Sequence, residues 1–314
     1  AMPYQPPIDE MRFALQHSAQ LDKLATLAGL QQTTADLVDA ALDEAAKLAS
    51  AVIAPLNKAG DRQPPKLVNG KVTTAPGYVD AYRQFVAGGW NAVPFDPNYG
   101  GQGLPWALNF ALQEMWQGAS LSFGLCPLLT QGAIELLTAH GSAAQKDFYL
   151  PKLIEGSWTG TMCLTEPQAG SDLALLRAKA VPSGDHYRIQ GQKIYITYGE
   201  HDLADNIIHM VLARLPDAAP GVKGISVFIV PKILPDGRRN DIQCVSLEHK
   251  LGIHASPTAV LSFGDQGGAV GYLIGEAGRG LEYMFTMMNN DRLYQELPEN
   301  GRRLLAGPAE DRPI

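Results

Sequence analysis

Apolar positions follow a helical period over the first half of the chain and a strand period over most of the second. After Pro6 and Pro7, Met11, Leu15, Leu21, Leu24 and Leu27 are spaced for one face and predict a helical extension over 1–35. Thr33-Thr34-Ala35-Asp36 offers a hydroxyl to an orphan helix N–H. The helix it opens carries Leu37, Ala41, Ala45, Leu48 and Val52 on a stripe and ends near Pro55. Pro64-Pro65 and Asn69-Gly70 mark a polar connection with a small turn. A shorter helix over 77–86 uses Tyr78, Tyr82 and Phe85 and stops at Gly88-Gly89. From Trp90 to Leu104, aromatic residues interleave with glycine and proline, as in a loop packed against its neighbours. Helices over 106–122, 127–140 and 146–155, the last kinked at Pro151, complete a helical domain over 36–158.

Past Trp158 the period changes. Tyr187-Arg188-Ile189 and Lys193-Ile194-Tyr195-Ile196-Thr197 both alternate, but with opposite parity, and Gly191 is the natural place for a bulge between them. The runs 207–215 and 224–231 are almost continuously apolar, as in buried strands. Further strands over 242–247, 258–263 and 270–274 fill out a β-barrel domain over 159–275. Helix returns near Gly278 with Leu281, Phe285 and Met288 on one face, and a polar, proline- and glycine-punctuated tail follows Tyr294. The last unit, 276–314, is read as the start of a second helical domain plus that tail, and the fold class is α+β multidomain.

The chain has 314 residues, 46% of them apolar, which suits about two or three domains with real cores. Its net charge of −7 argues against a general nucleic-acid or anionic-membrane surface. No run is read as a membrane span or export signal, so a cytoplasmic location is expected. Cys126, Cys163 and Cys244 are dispersed, which fits buried thiols better than a disulfide framework. His201, His209, His249 and His254 lack metal-ligand spacing, so no metal is expected.

The chemistry concentrates where helix gives way to strand. Met162-Cys163-Leu164-Thr165-Glu166-Pro167 ends a short apolar run on a hydroxyl and a proline, and Gly170-Ser171-Asp172 then makes a tight turn whose N–H groups and hydroxyl suit an anion or carbonyl. Glu166 is read as a structural acceptor of backbone N–H groups beside Pro167. With Tyr99-Gly100-Gly101-Gln102-Gly103, His140-Gly141-Ser142, Tyr149-Leu150-Pro151-Lys152-Leu153, Lys193-Ile194-Tyr195-Ile196-Thr197 and Lys250-Leu251-Gly252-Ile253-His254-Ala255-Ser256-Pro257-Thr258, this order of motifs resembles the acyl-CoA dehydrogenases over roughly 36–293. The run Thr197-Tyr198-Gly199-Glu200-His201-Asp202-Leu203 and the N-terminal extension look like the larger bacterial members, one group of which acts on 3-(methylthio)propanoyl-CoA.

That resemblance implies an FAD lying against the β-domain and α,β-desaturation of an acyl thioester, with the α-proton removed by a carboxylate and the β-hydride passed to the flavin. By position it implies that Met162, Leu164, Thr165, Gly170, Ser171, Tyr195 and Thr197 bind the cofactor, Tyr195 standing where the family usually has tryptophan. Alternation puts Tyr195 and Thr197 on one side of their strand. Ser171, Asn289 and Arg292 are implied substrate contacts. The family's catalytic glutamate is not found: the resemblance stops at Tyr294, and Glu282, Glu296, Glu299 and Glu310 lack its context. A chain without that base reads alternatively as an inactive, truncated flavin- or acyl-CoA-binding remnant. The implied partners are an acyl-CoA substrate, an electron-transfer flavoprotein as acceptor and further copies of the chain in a homo-oligomer.

Overall fold

In the computed structural model, which describes residues 4–289 and Arg292, the first helix α1 (Ile8–Phe13) widens into a π-turn over Ala14–Ser18, and a short α2 (Leu21–Leu24) follows. Met11, Leu15 and Leu21 are buried, whereas Leu27 is exposed beyond the end of α2 and does not extend the face. The predicted cap is present: Thr34 Oγ1 accepts the Leu37 N–H at 3.2 Å and opens α3 (Ala35–Leu48). The buried stripe is Val38, Leu42, Ala45, Ala49 and Ile53; Ala45 is shared with the predicted stripe, whose other members, Leu37, Ala41, Leu48 and Val52, are only half-buried at its edge. Pro55 does not end the helical path. A π-turn over Ala49–Ile53 precedes it and leads into α4 (Ala54–Arg62), the Ala54 N–H bonding five residues back to Ala49 O. The wider turn absorbs the donor that proline lacks.

The connection after Pro65 is a hairpin of β1 (Lys66–Val68) and β2 (Lys71–Thr73), with Asn69 and Gly70 both at positive φ. Both central residues at positive φ give the turn that matches strand twist. Then come α5 (Tyr78–Ala87), α6 (Trp106–Ala119), α7 (Leu121–His140) and α8 (Ala143–Glu155). Here α7 runs unbroken through Pro127, and α8 starts three residues before its predicted beginning because Ser142 and Gln145 form a reciprocal capping box. Taken whole, α7 is long and apolar enough to cross a membrane by length and composition, which no shorter reading of it could show. In the fold it is a core helix, 78% of its apolar window being buried inside the protein.

Eight strands form the main sheet: β3 (Trp158–Cys163), β4 (Lys179–Ser183), β5 (His186–Thr197), β6 (Asn206–Arg214), β7 (Ile225–Pro231), β8 (Ile242–Leu247), β9 (Thr258–Phe263) and β10 (Ala269–Leu273). The order β10-β7-β6-β4-β5 closes on itself because β10 also pairs with the first half of β5. The second half of β5 leaves that ring to pair with β9, which carries β8. β3 lies parallel to β6 over its whole length, bringing the chain from α8 straight into the barrel. A final helix over 280–289 starts on β7: Gly280 needs its missing side chain, since a Cβ there would stand 2.3 Å from the Ser226 carbonyl carbon. The tail after Tyr294, with Glu296, Glu299 and Glu310, lies outside the described residues, as do Asn290 and Asp291.

Candidate functional site

The site forms where β3 ends and β5 bends. Gly191 has φ 147° and close contact with Ala178, but the register of β5 against β9 shifts between Lys193 and Ile196, two residues later than the predicted bulge. The shift puts Tyr195 at φ 58°, in the left-handed region that a tyrosine rarely adopts, and leaves its side chain 61% exposed. Lys193 and Ile196 on either side point inward and are fully buried.

Met162, Leu164, Thr165, Gly170, Ser171 and Tyr195 line one cleft of about 550 Å³. Leu281, Phe285 and Met288 of the last helix form its facing wall, and Asp172, Leu173, Ile196 and Val222 complete it. Phe285 stays largely exposed because it faces the cleft, while Met284 and Met287 on the other side of that helix are buried. Gly170 is open: a Cβ there would find its nearest neighbour, Thr165 Cγ2, at 3.9 Å. Thr197 pairs with Thr258 on β9 and is not among the lining residues. Asn289 and Arg292 are exposed near the end of the last helix and are not among them either.

Three sets of bonds hold the turn that carries Thr165 and Ser171. Asp172 Oδ1 caps the Ala174 N–H at 3.0 Å. Arg214 binds the carbonyls of Ala174 and Leu176 at 2.7 and 2.8 Å, fixing the chain beyond the turn to β6. Glu166 does accept backbone N–H groups, those of Arg177 and Ala178 at 2.7 and 3.0 Å. It also pairs with Lys193, which the sequence reading quoted in a motif but gave no role. Alternation puts Lys193 on the parity of Tyr195 and Thr197, opposite Ile194 and Ile196, so the sequence hid its burial: the register shift between Lys193 and Ile196 turns both of them inward, and a buried lysine must find an anion. Burial alone would raise the Glu166 carboxyl, but Lys193 and the two N–H groups outweigh it and hold it below the usual carboxylate range.

The cleft therefore offers apolar surface and an aromatic ring, with two hydroxyl-bearing residues, Thr165 and Ser171, in its lining. That is the donor set of a site for a flat heteroaromatic ring with polar substituents on one side. The same order of elements is matched by two family models: acyl-CoA dehydrogenase, N-terminal domain, over residues 38–157, and acyl-CoA dehydrogenase, middle domain, over residues 161–266.

The chain belongs to the acyl-CoA dehydrogenase family.

Acyl-CoA dehydrogenases are oxidoreductases, and the cofactor of the family is FAD. The chain is 50% identical over 297 residues to 3-methylmercaptopropionyl-CoA dehydrogenase of Ruegeria pomeroyi, covering 93% of this chain and 50% of that protein. It is 38% identical over 300 residues to a butyryl-CoA dehydrogenase of Syntrophomonas wolfei, covering 90% of this chain and 49% of that one. Among solved structures, an acyl-CoA dehydrogenase complexed with FAD from Bacillus anthracis matches with a TM-score of 0.59 at 27% identity, over 72% of this chain and 37% of the other. The chain thus spans about half the length of the curated relatives it matches.

Proposed function

We propose that this chain supplies the helical domain (36–158) and the β-barrel domain (159–275) of an FAD-dependent dehydrogenase that introduces an α,β double bond into an acyl-CoA thioester. The observation that carries the reading is the convergence of Met162, Leu164, Thr165, Gly170, Ser171 and Tyr195 on one cleft opposite Phe285 and Met288. When bound, FAD supplies a hydride acceptor, which no side chain can provide. Tyr195 and Met162 flank the ring, and the Thr165 and Ser171 hydroxyls bond its polar edge. Ser171 also reaches the thioester end of the ligand, while Asn289 and Arg292 contact substrate from the last helix. Thr197 acts from the far end of β5, outside the cleft lining. The half-length match to the Ruegeria protein makes a short, sulfur-containing acyl-CoA the first substrate to try. An electron-transfer flavoprotein is the expected acceptor, and the working form is a homo-oligomer.

A second reading, that this chain holds flavin without turning over, rests on the carboxylates. Among the described residues lining the cleft, Asp172 is the one carboxylate, and it is committed to the Ala174 N–H. Glu282 on the last helix is exposed and bound to Arg279. Neither is poised to take an α-proton. The visible spectrum of the purified chain, before and after anaerobic addition of acyl-CoAs, decides. A yellow protein that bleaches supports the dehydrogenase; a yellow protein that does not bleach supports the second reading. A chain that stays colourless after incubation with excess FAD overturns both.

A further inference from the structure

The Glu166–Lys193 pair is the most deeply buried ion pair among the described residues, with side chains 3% and 0% exposed, and neither residue lines the cleft. Isolated charges are costly at that depth, so the pair must be fully bonded. Glu166 accepts from Lys193 Nζ at 2.9 Å, Ala178 N–H at 3.0 Å, Arg177 N–H at 2.7 Å and Gln168 Nε2 at 2.5 Å. Lys193 Nζ also donates to the Leu164 carbonyl at 2.9 Å. One peptide on, the Ile194 N–H donates to the Thr165 carbonyl at 2.9 Å. The bonds thus tie residues 164, 165 and 166 to residues 193 and 194. Leu164 and Thr165 line the cleft, and so does Tyr195, displaced outward by the β5 register shift. A second loop of bonds, Glu166 N–H to Ala169 O and back, sets the start of the Gly170-Ser171 turn.

We propose that Glu166 and Lys193 form a positioning pair for the flavin site: their buried bonds fix the spacing and tilt between the Thr165–Ser171 turn and the Tyr195 ring. The pair touches neither cofactor nor substrate and acts through backbone. This rests on the reading of the cleft as an FAD site, and the test separates the two.

Wild type, Lys193→Met and the double variant Lys193→Met/Glu166→Gln are compared by FAD titration, by the flavin absorption and circular dichroism bands, and by amide hydrogen exchange of the FAD-free chain. Lys193→Met strands a buried carboxylate and is expected to lose overall stability as well as binding. The double variant removes both charges at nearly constant volume and recovers part of that stability, since the amide offers one acceptor oxygen where the carboxylate offered two to the Arg177 and Ala178 N–H groups. It is nevertheless expected to bind FAD roughly tenfold or more weakly, the size of one lost charge-assisted hydrogen bond, with shifted flavin bands. The FAD-free double variant should exchange faster at Arg177, Ala178 and Ile194 while the β6–β7 ladder stays protected. Wild-type affinity and bands in a stable double variant overturn the proposal, because a purely structural pair would leave the cleft unchanged. If wild type binds no FAD, the functional reading fails. The exchange data then decide alone: unchanged exchange at Arg177, Ala178 and Ile194 overturns the brace, and selective loss there supports it.

Discussion

Tyr195 sits in a conformation that favours glycine and spends its ring on an open cleft, so its backbone and its side chain pull in opposite directions. Replacing it by glycine removes a left-handed penalty of about 1 kcal/mol and adds chain entropy to the unfolded state of about the same size. Thermal stability of the FAD-free Tyr195→Gly chain should therefore stay close to wild type, while FAD affinity and the flavin band position change. A large loss of stability with affinity intact would mean the ring supports the fold and not a ligand. The motif that carries Thr165 and Ser171 was legible in the sequence because its residue types are unusual together. The bulge was misplaced onto Gly191 because glycine is the usual bulge former. The buried pair between Lys193 and Glu166 instead fixes where β5 can stay in register, and the strain falls on the next exposed residue, Tyr195.

Between elements, the contact that positions the site is α7 against β3. Gly160 lies so close that an added Cβ would stand 2.4 Å from Ala133 Cβ. The Gly160 N–H donates to Thr130 Oγ1 at 3.1 Å, and that hydroxyl donates in turn to the Cys126 carbonyl at 3.0 Å. Thr130→Val keeps the shape but leaves the buried Gly160 N–H unpaired, at a cost of about 1–3 kcal/mol. Gly160→Ala forces helix and strand apart, with a loss of about 1–3 kcal/mol from overpacking. Because Met162 is two residues along β3, Gly160→Ala should also weaken FAD binding, whereas Thr130→Val should act mainly on stability. Urea unfolding and FAD titration of the two variants check this, and equal effects on binding would contradict it. The strands 242–247 and 258–263 were readable to the residue from apolar runs bounded by turns. The helix limits were not, since Pro55 and Pro127, read as an end and a start, lie inside helical paths, as Pro151 was expected to. Local rules read proline as a boundary, and tertiary packing of these helices overrides them. β4 was missed because Lys179, Val181 and Pro182 face outward and leave it little apolar signal.

At the scale of the molecule, the seam between β3 and β6 is polar at its centre, and that sets the pH range of the fold. His209 Nδ1 meets Thr161 Oγ1 at 2.7 Å. His201 Nδ1 accepts the Leu203 N–H at 3.1 Å, so its Nε2 carries the proton and donates to Thr159 Oγ1 at 2.9 Å. Burial, and then the charge of Lys232, pushes both imidazoles down to about 3. Unfolded, each titrates near ~6.5, so below that pH the unfolded chain takes up protons that the folded chain refuses. Their stabilising effect is complete above about pH 6.5 and shrinks as pH falls, by about 1.4 kcal/mol per pH unit for each ring once well below the unfolded value. The depressed Glu166 carboxyl adds loss in the same direction at lower pH, as its unfolded form begins to protonate. The urea midpoint of the FAD-free chain should therefore be nearly level between about pH 8 and pH 7 and fall with increasing slope from about pH 6 to pH 5. His209→Gln, which keeps a hydrogen-bonding group near Thr161 but cannot titrate, should lower the plateau yet flatten that slope. An unchanged wild-type midpoint down to about pH 5 would show that neither imidazole is held neutral by the seam, and an equally steep decline in the variant would show that His209 is not.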